Sequence, residues 1–444
     1  MSNTAEKKGL NISAKSFLTA IFVIFVLMIL TYGLTFLVPG GGIPFWKWAL
    51  SPVLVLGSEG NVSLIAVIAF LLVIGGVFNC LDKCGLMKYM LDKITYRFGK
   101  ERYKLLAFVT LFFMAMGSFI GSFEECVPMV PIVVALAIRL GWDALTGIGM
   151  SLLAIGCGFS AGICNPFTVG VAQSLDVVNL PMFSGMWFRI IAFILVYILL
   201  SGFLFFYAKK IERPVAMSEN AEDFQENRNM NKALFLFAGI MVGGIAVVLC
   251  SVFITALQSY TMIIVALTFL AAGMISSIAS KSGERLGTVF VNGLISVLPA
   301  VLMILMANSI KYTMEEGNIL DTIVKSAVSV AGTLPRWSVI LFIYLIVLGM
   351  NFFIASGSAK AFLLMPLIVP VAQSFGISAQ LCVVAYAFGD GFSNVFYPTN
   401  PVLLISLGLA DVDYGKWVKW SWKFQVMNLV MTSGLLLFGL MIGY

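Results

Sequence analysis

GCGFSAGICNPFT at residues 156–168 and GDGFSNVFYPTNP at residues 389–401 are two versions of one pattern: a spaced glycine pair, Phe-Ser, then an Asn-Pro step. Each lies inside a long apolar segment, Ala144 to about Asp176 and Ser378 to Leu409. Proline removes a helical hydrogen bond, and in hydrocarbon the freed backbone groups have no water to bond. Such backbone is tolerated at membrane depth only where protein or a polar cavity surrounds it. Both segments are therefore predicted to be helices interrupted inside the bilayer, at the glycine motifs and at the Asn-Pro steps.

The rest of the chain supports a membrane setting. Of 444 residues 60% are hydrophobic and 11% charged, too little charge for a solvated globular surface. Apolar runs of about 20 residues, the length of a helical span, recur from Ser16 to the C-terminus. The run Ser16 to Val38 follows Lys7, Lys8 and Lys15 like a signal peptide, but it is long for one and has no small-residue cleavage site, so it is expected to remain as a helix. The net charge of +6 sits in short loops beside apolar runs, which argues orientation in a bilayer and against nucleic acid. There is no histidine, and the seven cysteines form no paired CxxC spacing, so metal-dependent and triad-based hydrolytic chemistry have no carriers and no enzyme or cofactor is expected.

Working outward from the two motifs, charge sets the topology. Asp82 to Lys104 carries Lys83, Lys88, Lys93, Arg97, Lys100, Arg102 and Lys104 and reads as a cytoplasmic amphipathic helix. Two short apolar arms, about 105–140, flank the polar turn Gly121-Ser122-Phe123-Glu124-Glu125, and the broken segment of about 144–176 and a span follow. Residues 1–208 form the first unit, and 209–232 (KKIERPVAMSENAEDFQENRNMNK) read as a cytoplasmic linker. An extra span at 233–255 precedes a second unit at 256–444, with its own arm pair at about 337–375 around Ala355-Ser356-Gly357-Ser358-Ala359-Lys360 and its broken segment at about 378–409. Lys416, Lys419 and Lys423 place the start of the last span inside, so the C-terminus is expected outside and the N-terminus in the cytoplasm.

Setting Pro131 on Pro366 also matches Gly141 with Gly376. A two-residue shift then matches Gly156, Gly158, Phe159 and Ser160 with Gly389, Gly391, Phe392 and Ser393, and Asn165-Pro166 matches Asn400-Pro401. The extra span makes the second unit start on the opposite side, so the repeats are predicted to be inverted. Parity alone does not separate re-entrant hairpins from complete short spans, because either returns the chain to the side it left.

GVFNCLDKCGLMKYM, GSFIGSFEECVPMVP, GCGFSAGICNPFTVGVAQ and FGDGFSNVFYPTNP together resemble the YfcC-like branch of the anaerobic C4-dicarboxylate carrier family, within the ion-transporter superfamily. The resemblance covers essentially the whole chain. It implies an all-α polytopic inner-membrane protein of two inverted repeats, each with a re-entrant hairpin and a broken helix, working as a homodimer by an elevator movement.

Hairpin tips and helix breaks that meet at midplane form a polar pocket from dipoles and unpaired backbone groups. Its expected lining is Ser122, Glu124, Glu125, Ser160, Asn165 and Thr168 from the first half and Ser356, Ser358, Lys360, Asp390, Ser393, Thr399 and Asn400 from the second. Four of these ionise, and at membrane depth each costs about 3 kcal/mol unless solvated or paired. They mark a substrate path, or an internal ion pair such as Lys360 with a glutamate. The hydroxyl and amide side chains bind substrate or Na⁺, or simply cap the breaks. One lysine against three acids suits an amine better than a dicarboxylate. The expected function is secondary transport of a small amino-acid-like solute, a basic amino acid antiporter of the arginine/ornithine type. The alternative is Na⁺- or H⁺-coupled symport of C4-dicarboxylates or other small carboxylates. Arg139, Arg189 and Asp143 read as interfacial anchors.

Overall fold

A computed structural model describes residues 14–38, 41–58, 62–119, 121, 123–181, 184–214, 226–251, 261–331 and 334–444. Every regular element among these residues is helical. Among the described residues six helices are long and apolar enough to cross a membrane: Leu86–Phe119, Ala144–Ala161, Met186–Ile211, Leu286–Glu316, Gly357–Ser374 and Tyr414–Ile442. Ala144–Ala161 is almost wholly buried, whereas Met186–Ile211 turns Ile198 and Phe206 outward, where lipid serves an apolar side chain as well as protein does.

The helices pack in two groups. Val62–Lys83 lies against Thr261–Ala279 and Leu286–Ser296, and Thr261–Ala279 against Arg228–Ser251. Glycines carry this contact: Gly75 and Gly293 meet backbone to backbone, and Asn79 Nδ2 donates to Val289 O at 2.6 Å. The second group gathers both broken segments, both short-armed pairs and the helices Met186–Ile211 and Tyr414–Ile442.

Met186–Ile211 serves as a ruler, since its 26 residues span about 39 Å at the helical rise. At its Ile211 end, Arg213 N donates to Gly141 O at 2.9 Å, Arg102 Nη1 donates to Leu140 O at 2.9 Å and to Arg213 O at 3.0 Å, and Arg102 pairs with Glu212. Arg102–Phe119 therefore leaves from this end and Val130–Arg139 returns to it. At the Met186 end, Gln380 Nε2 donates to Ser184 O at 2.7 Å, Tyr444 Oη donates to Gly185 O at 2.6 Å, and Ser378 bonds the Tyr444 carbonyl. Arg336 Nη2 donates to Gly376 O at 2.9 Å, so Arg336–Asn351 and Gly357–Ser374 begin and finish at this opposite end. The two helix pairs face each other, and both turns reach the stretch Asn165 to Thr168: Gly121 abuts Asn165, and Gly357 abuts Thr168.

Ala144–Ala161 starts at the Ile211 end, where Asp143 accepts from Thr146 N at 2.9 Å and from Tyr207 Oη at 2.6 Å. Ala379–Asn394 starts at the other end, capped by Ser378 Oγ accepting from Leu381 N at 3.1 Å. Both helices run straight through their glycine motifs. The first breaks at Gly162, with φ +33, through Asn165, and the second between Val395 and Asn400, where Pro401–Leu409 begins. The expectation that the glycine motifs themselves are breaks is thus corrected. These glycines are where helices touch: Gly158 lies on the backbone of Met114, Gly156 on Val395 and Gly391 on Ser160. A glycine in a helix costs about 1 kcal/mol relative to alanine, and close packing offsets it.

Candidate functional site

Lys360 stands in the first turn of Gly357–Ser374 and is fully buried, as is Asp390 on Ala379–Asn394. Lys360 Nζ donates to Asp390 Oδ1 at 2.6 Å, to Ile354 O at 3.2 Å and to Asn351 Oδ1. An ammonium has three N–H donors, and all three are committed. The lysine pairs with Asp390 rather than with a glutamate.

Asn351, the last residue of its arm, is the hub of this cluster. Its Nδ2 faces Asp390 O at 3.0 Å, Ser393 Oγ at 2.7 Å and Asn394 Oδ1 at 3.0 Å. Asn400 Nδ2 also donates to Asn394 Oδ1 at 3.0 Å, while its own Oδ1 caps Pro401–Leu409 by accepting from Val402 N at 2.9 Å. Tyr386 donates its hydroxyl to Gly357 O, tying the second turn to the second broken helix. Asn351 and Tyr386 are not legible as site residues, since each sits in an apolar run and only the fold brings it to the ion pair; Asn394 falls within the GDGFSNVFYPTNP stretch of the expected lining, where sequence alone does not single it out.

The first half meets this cluster through small groups. A β-carbon on Gly357 would lie 2.6 Å from both Asp390 Oδ2 and Thr168 Cγ2, so that glycine lets the second turn close over the aspartate and the threonine. Asp390 Oδ2, Thr168 Oγ1 and Thr399 Oγ1 are buried and have no hydrogen-bond partner among the described residues. Ser160 donates to Gly156 O at 3.1 Å and fits against Gly391. Asn165 Oδ1 accepts from Thr168 N at 3.3 Å. Ser356 accepts from Ala359 N at 3.4 Å as a helix cap on an exposed site, and Ser358 is half-buried beside it. Ser122 and the side chains of Glu124 and Glu125 lie outside the described residues. Among the described residues no group of His, Cys, Asp and Glu is arranged to hold a metal ion.

Arg189 is not an interfacial anchor. Only 1% exposed, it donates from Nη2 to Ile163 O at 3.2 Å, supporting a carbonyl that the first helix break leaves without a helical partner.

A family model described as C4-dicarboxylate anaerobic carrier matches residues 50–441. The chain belongs to the C4-dicarboxylate anaerobic carrier family. Among carriers it resembles YfcC of Escherichia coli (strain K12), a protein provisionally named a basic amino acid antiporter, with 28% identity over 399 residues, 86% of this chain and 78% of that one. An uncharacterized protein of Haemophilus influenzae (strain ATCC 51907 / DSM 11121 / KW20 / Rd) is 24% identical over 387 residues, 81% of this chain and 72% of its own. Solved structures that align with this carrier include the YdaH transporter of Alcanivorax borkumensis (TM-score 0.47, 17% identity, 97% and 99% of the two chains) and MtrF of Neisseria gonorrhoeae (TM-score 0.46, 14% identity, 94% and 94%). Family membership and the six apolar helices make the carrier a multi-pass membrane transporter with a small-molecule substrate.

Proposed function

We propose that this carrier is a secondary active antiporter of cationic amino acids of the arginine/ornithine type. One observation carries the substrate class: the site's lysine has no donor left for a substrate carboxylate, while Asp390 keeps one oxygen without a partner among the described residues. A buried carboxylate oxygen with room for one more donor suits an ammonium or guanidinium. The provisional name of YfcC supports the same reading.

In this reading the two opposed helix pairs are re-entrant hairpins of two inverted repeats. The group holding the hairpins and broken helices moves as an elevator against Val62–Lys83 and its neighbours, in a homodimer in the bacterial inner membrane, with the N-terminus inside and the C-terminus outside. The helix starts at Gly357 and Pro401, whose positive dipole ends point into the junction, hold the amino acid's carboxylate.

Those helix starts also favour a second reading, coupled symport of a C4-dicarboxylate, in line with the family's description. Radiolabelled arginine uptake into proteoliposomes, preloaded with ornithine or empty, with and without a Na⁺ gradient, separates the two. Uptake that needs internal ornithine and is lost in Glu124→Gln and Glu125→Gln is the expected result. Absent arginine uptake with Na⁺-driven succinate uptake overturns it.

A further inference from the structure

We infer that Lys360 is a resident competitor for the substrate's cationic group: its ammonium occupies Asp390 in the empty carrier, and substrate binding breaks the Lys360–Asp390 pair. This rests on the reading that the substrate is cationic. Three features on the two sides of the pair carry it.

First, Lys360 has somewhere to stay. Two of its three acceptors, Asn351 Oδ1 and Ile354 O, belong to its own hairpin, and only Asp390 belongs to the broken helix. When Asp390 accepts from another cation, Lys360 keeps two hydrogen bonds on its own hairpin, and the turn that must withdraw admits water to the third N–H and to its charge. Second, Asp390 is half-engaged: Oδ1 accepts from Lys360, and Oδ2 is buried without a partner among the described residues. A second cation therefore has an acceptor, but two cations on one carboxylate repel, so the incoming group weakens the resident one. Third, Oδ2 is covered by the backbone of Gly357, three residues from Lys360 on the same helix. Reaching Oδ2 requires the hairpin turn to withdraw, and withdrawal also draws Lys360 off Oδ1. Displacing the lysine and opening the site are one movement.

The pair thus sets affinity as well as charge balance. The carboxylate is never left bare in the empty carrier, where an unpaired buried charge is strongly destabilising, and the substrate gains only the difference between its own bond and the lysine's. Affinity is held down and release is fast, as exchange requires.

The test is equilibrium binding of radiolabelled arginine to the full-length purified protein in nanodiscs, with thermal unfolding followed with and without arginine. Lys360→Met removes the competitor, so arginine binds about tenfold or more tighter, its stabilising effect on unfolding grows, and exchange slows because release slows. Lys360→Arg retains the charge but presents a planar fork able to take both Asp390 oxygens, so arginine binds more weakly. Should Lys360→Met fail to fold, Lys360→Arg alone decides. Wild-type binding with Lys360→Met unchanged or weaker, or with Lys360→Arg unchanged, overturns the competitor role and leaves the cationic substrate standing. A wild type that binds succinate but not arginine, ornithine or lysine overturns both.

Discussion

Gly391 packs directly on Ser160: the place a β-carbon would take is already filled by the serine backbone nitrogen and hydroxyl. The two glycine motifs are therefore one contact, where half-helices arriving from opposite ends pass each other.

Gly391→Ala should lower unfolding stability by about 1–3 kcal/mol or more, because two of the obstructing atoms, Ser160 N and Cα, are backbone and cannot rotate away as the hydroxyl can. Transport should fall with it. Gly434→Ala, with nothing within 4 Å of the new methyl, should be neutral or slightly stabilising. Thermal unfolding in detergent of the two variants, together with uptake, checks both; equal effects would mean that the crossing is looser than the packing indicates.

Asn351→Leu should be among the most damaging substitutions in the site. It removes an acceptor from Lys360 and leaves Ser393, Asn394 and the Asp390 carbonyl without their shared donor. A buried group that loses its partner costs about 1–3 kcal/mol, more when charged as Lys360 is, and less for Asn394 and Ser393, which keep Asn400 Nδ2 and Gly389 O. The expected outcome is a protein that inserts but unfolds at clearly lower temperature and does not transport.

Lys47 holds its proton more tightly than an ordinary lysine of pKa 10.5, first because it donates to Glu316 and further through the charge of Glu316, with slight burial opposing. A cation with a raised folded pKa contributes fully below its unfolded value and loses that contribution as pH climbs through the folded one. Wild type and Glu316→Gln should differ by under about 1 kcal/mol at neutral pH, as partly exposed pairs do. The gap should persist to about pH 10 and close above the lysine's ordinary value. Thermal unfolding across that range reads it; a gap that widens with pH would contradict the pairing.

Lys104→Cys and Gly443→Cys, each in a cysteine-free background, should be labelled from opposite faces of the membrane by an impermeant thiol reagent. Arg102 and Arg213 lie at one end of Met186–Ile211, and Gly185 and Tyr444 at the other. Labelling from the same face would overturn the opposed arrangement of the two helix pairs.

The fold is most legible in the sequence where a residue type forces local backbone. Asn165-Pro166 and Asn400-Pro401 announce the ends of helices because proline cannot continue one, and both breaks fall beside them. It is least legible where glycine serves two ends: in Gly156 to Gly158 and Gly389 to Gly391 the missing side chain permits contact, not bending, and composition does not separate those uses. Lys360 and Asp390 are visible as charges in apolar surroundings, but their pairing depends on how the start of Gly357–Ser374 meets Ala379–Asn394. Asn351 had no signal at all, since a polar residue ending an apolar arm looks like any span boundary. Arg189, near the start of a span, was indistinguishable from an interfacial anchor until the break at Ile163 was placed against it.

The Lys360–Asp390 pair also bears on how the chain is made. Its partners are 30 residues apart, so at about 5–20 residues per second the aspartate leaves the ribosome seconds after the lysine. Each charge alone would resist entry into the lipid by about 3 kcal/mol. Delivered together as a neutral couple, with Asn351 emerging just before them, they can enter the bilayer within a single insertion event, before the chain has been completed.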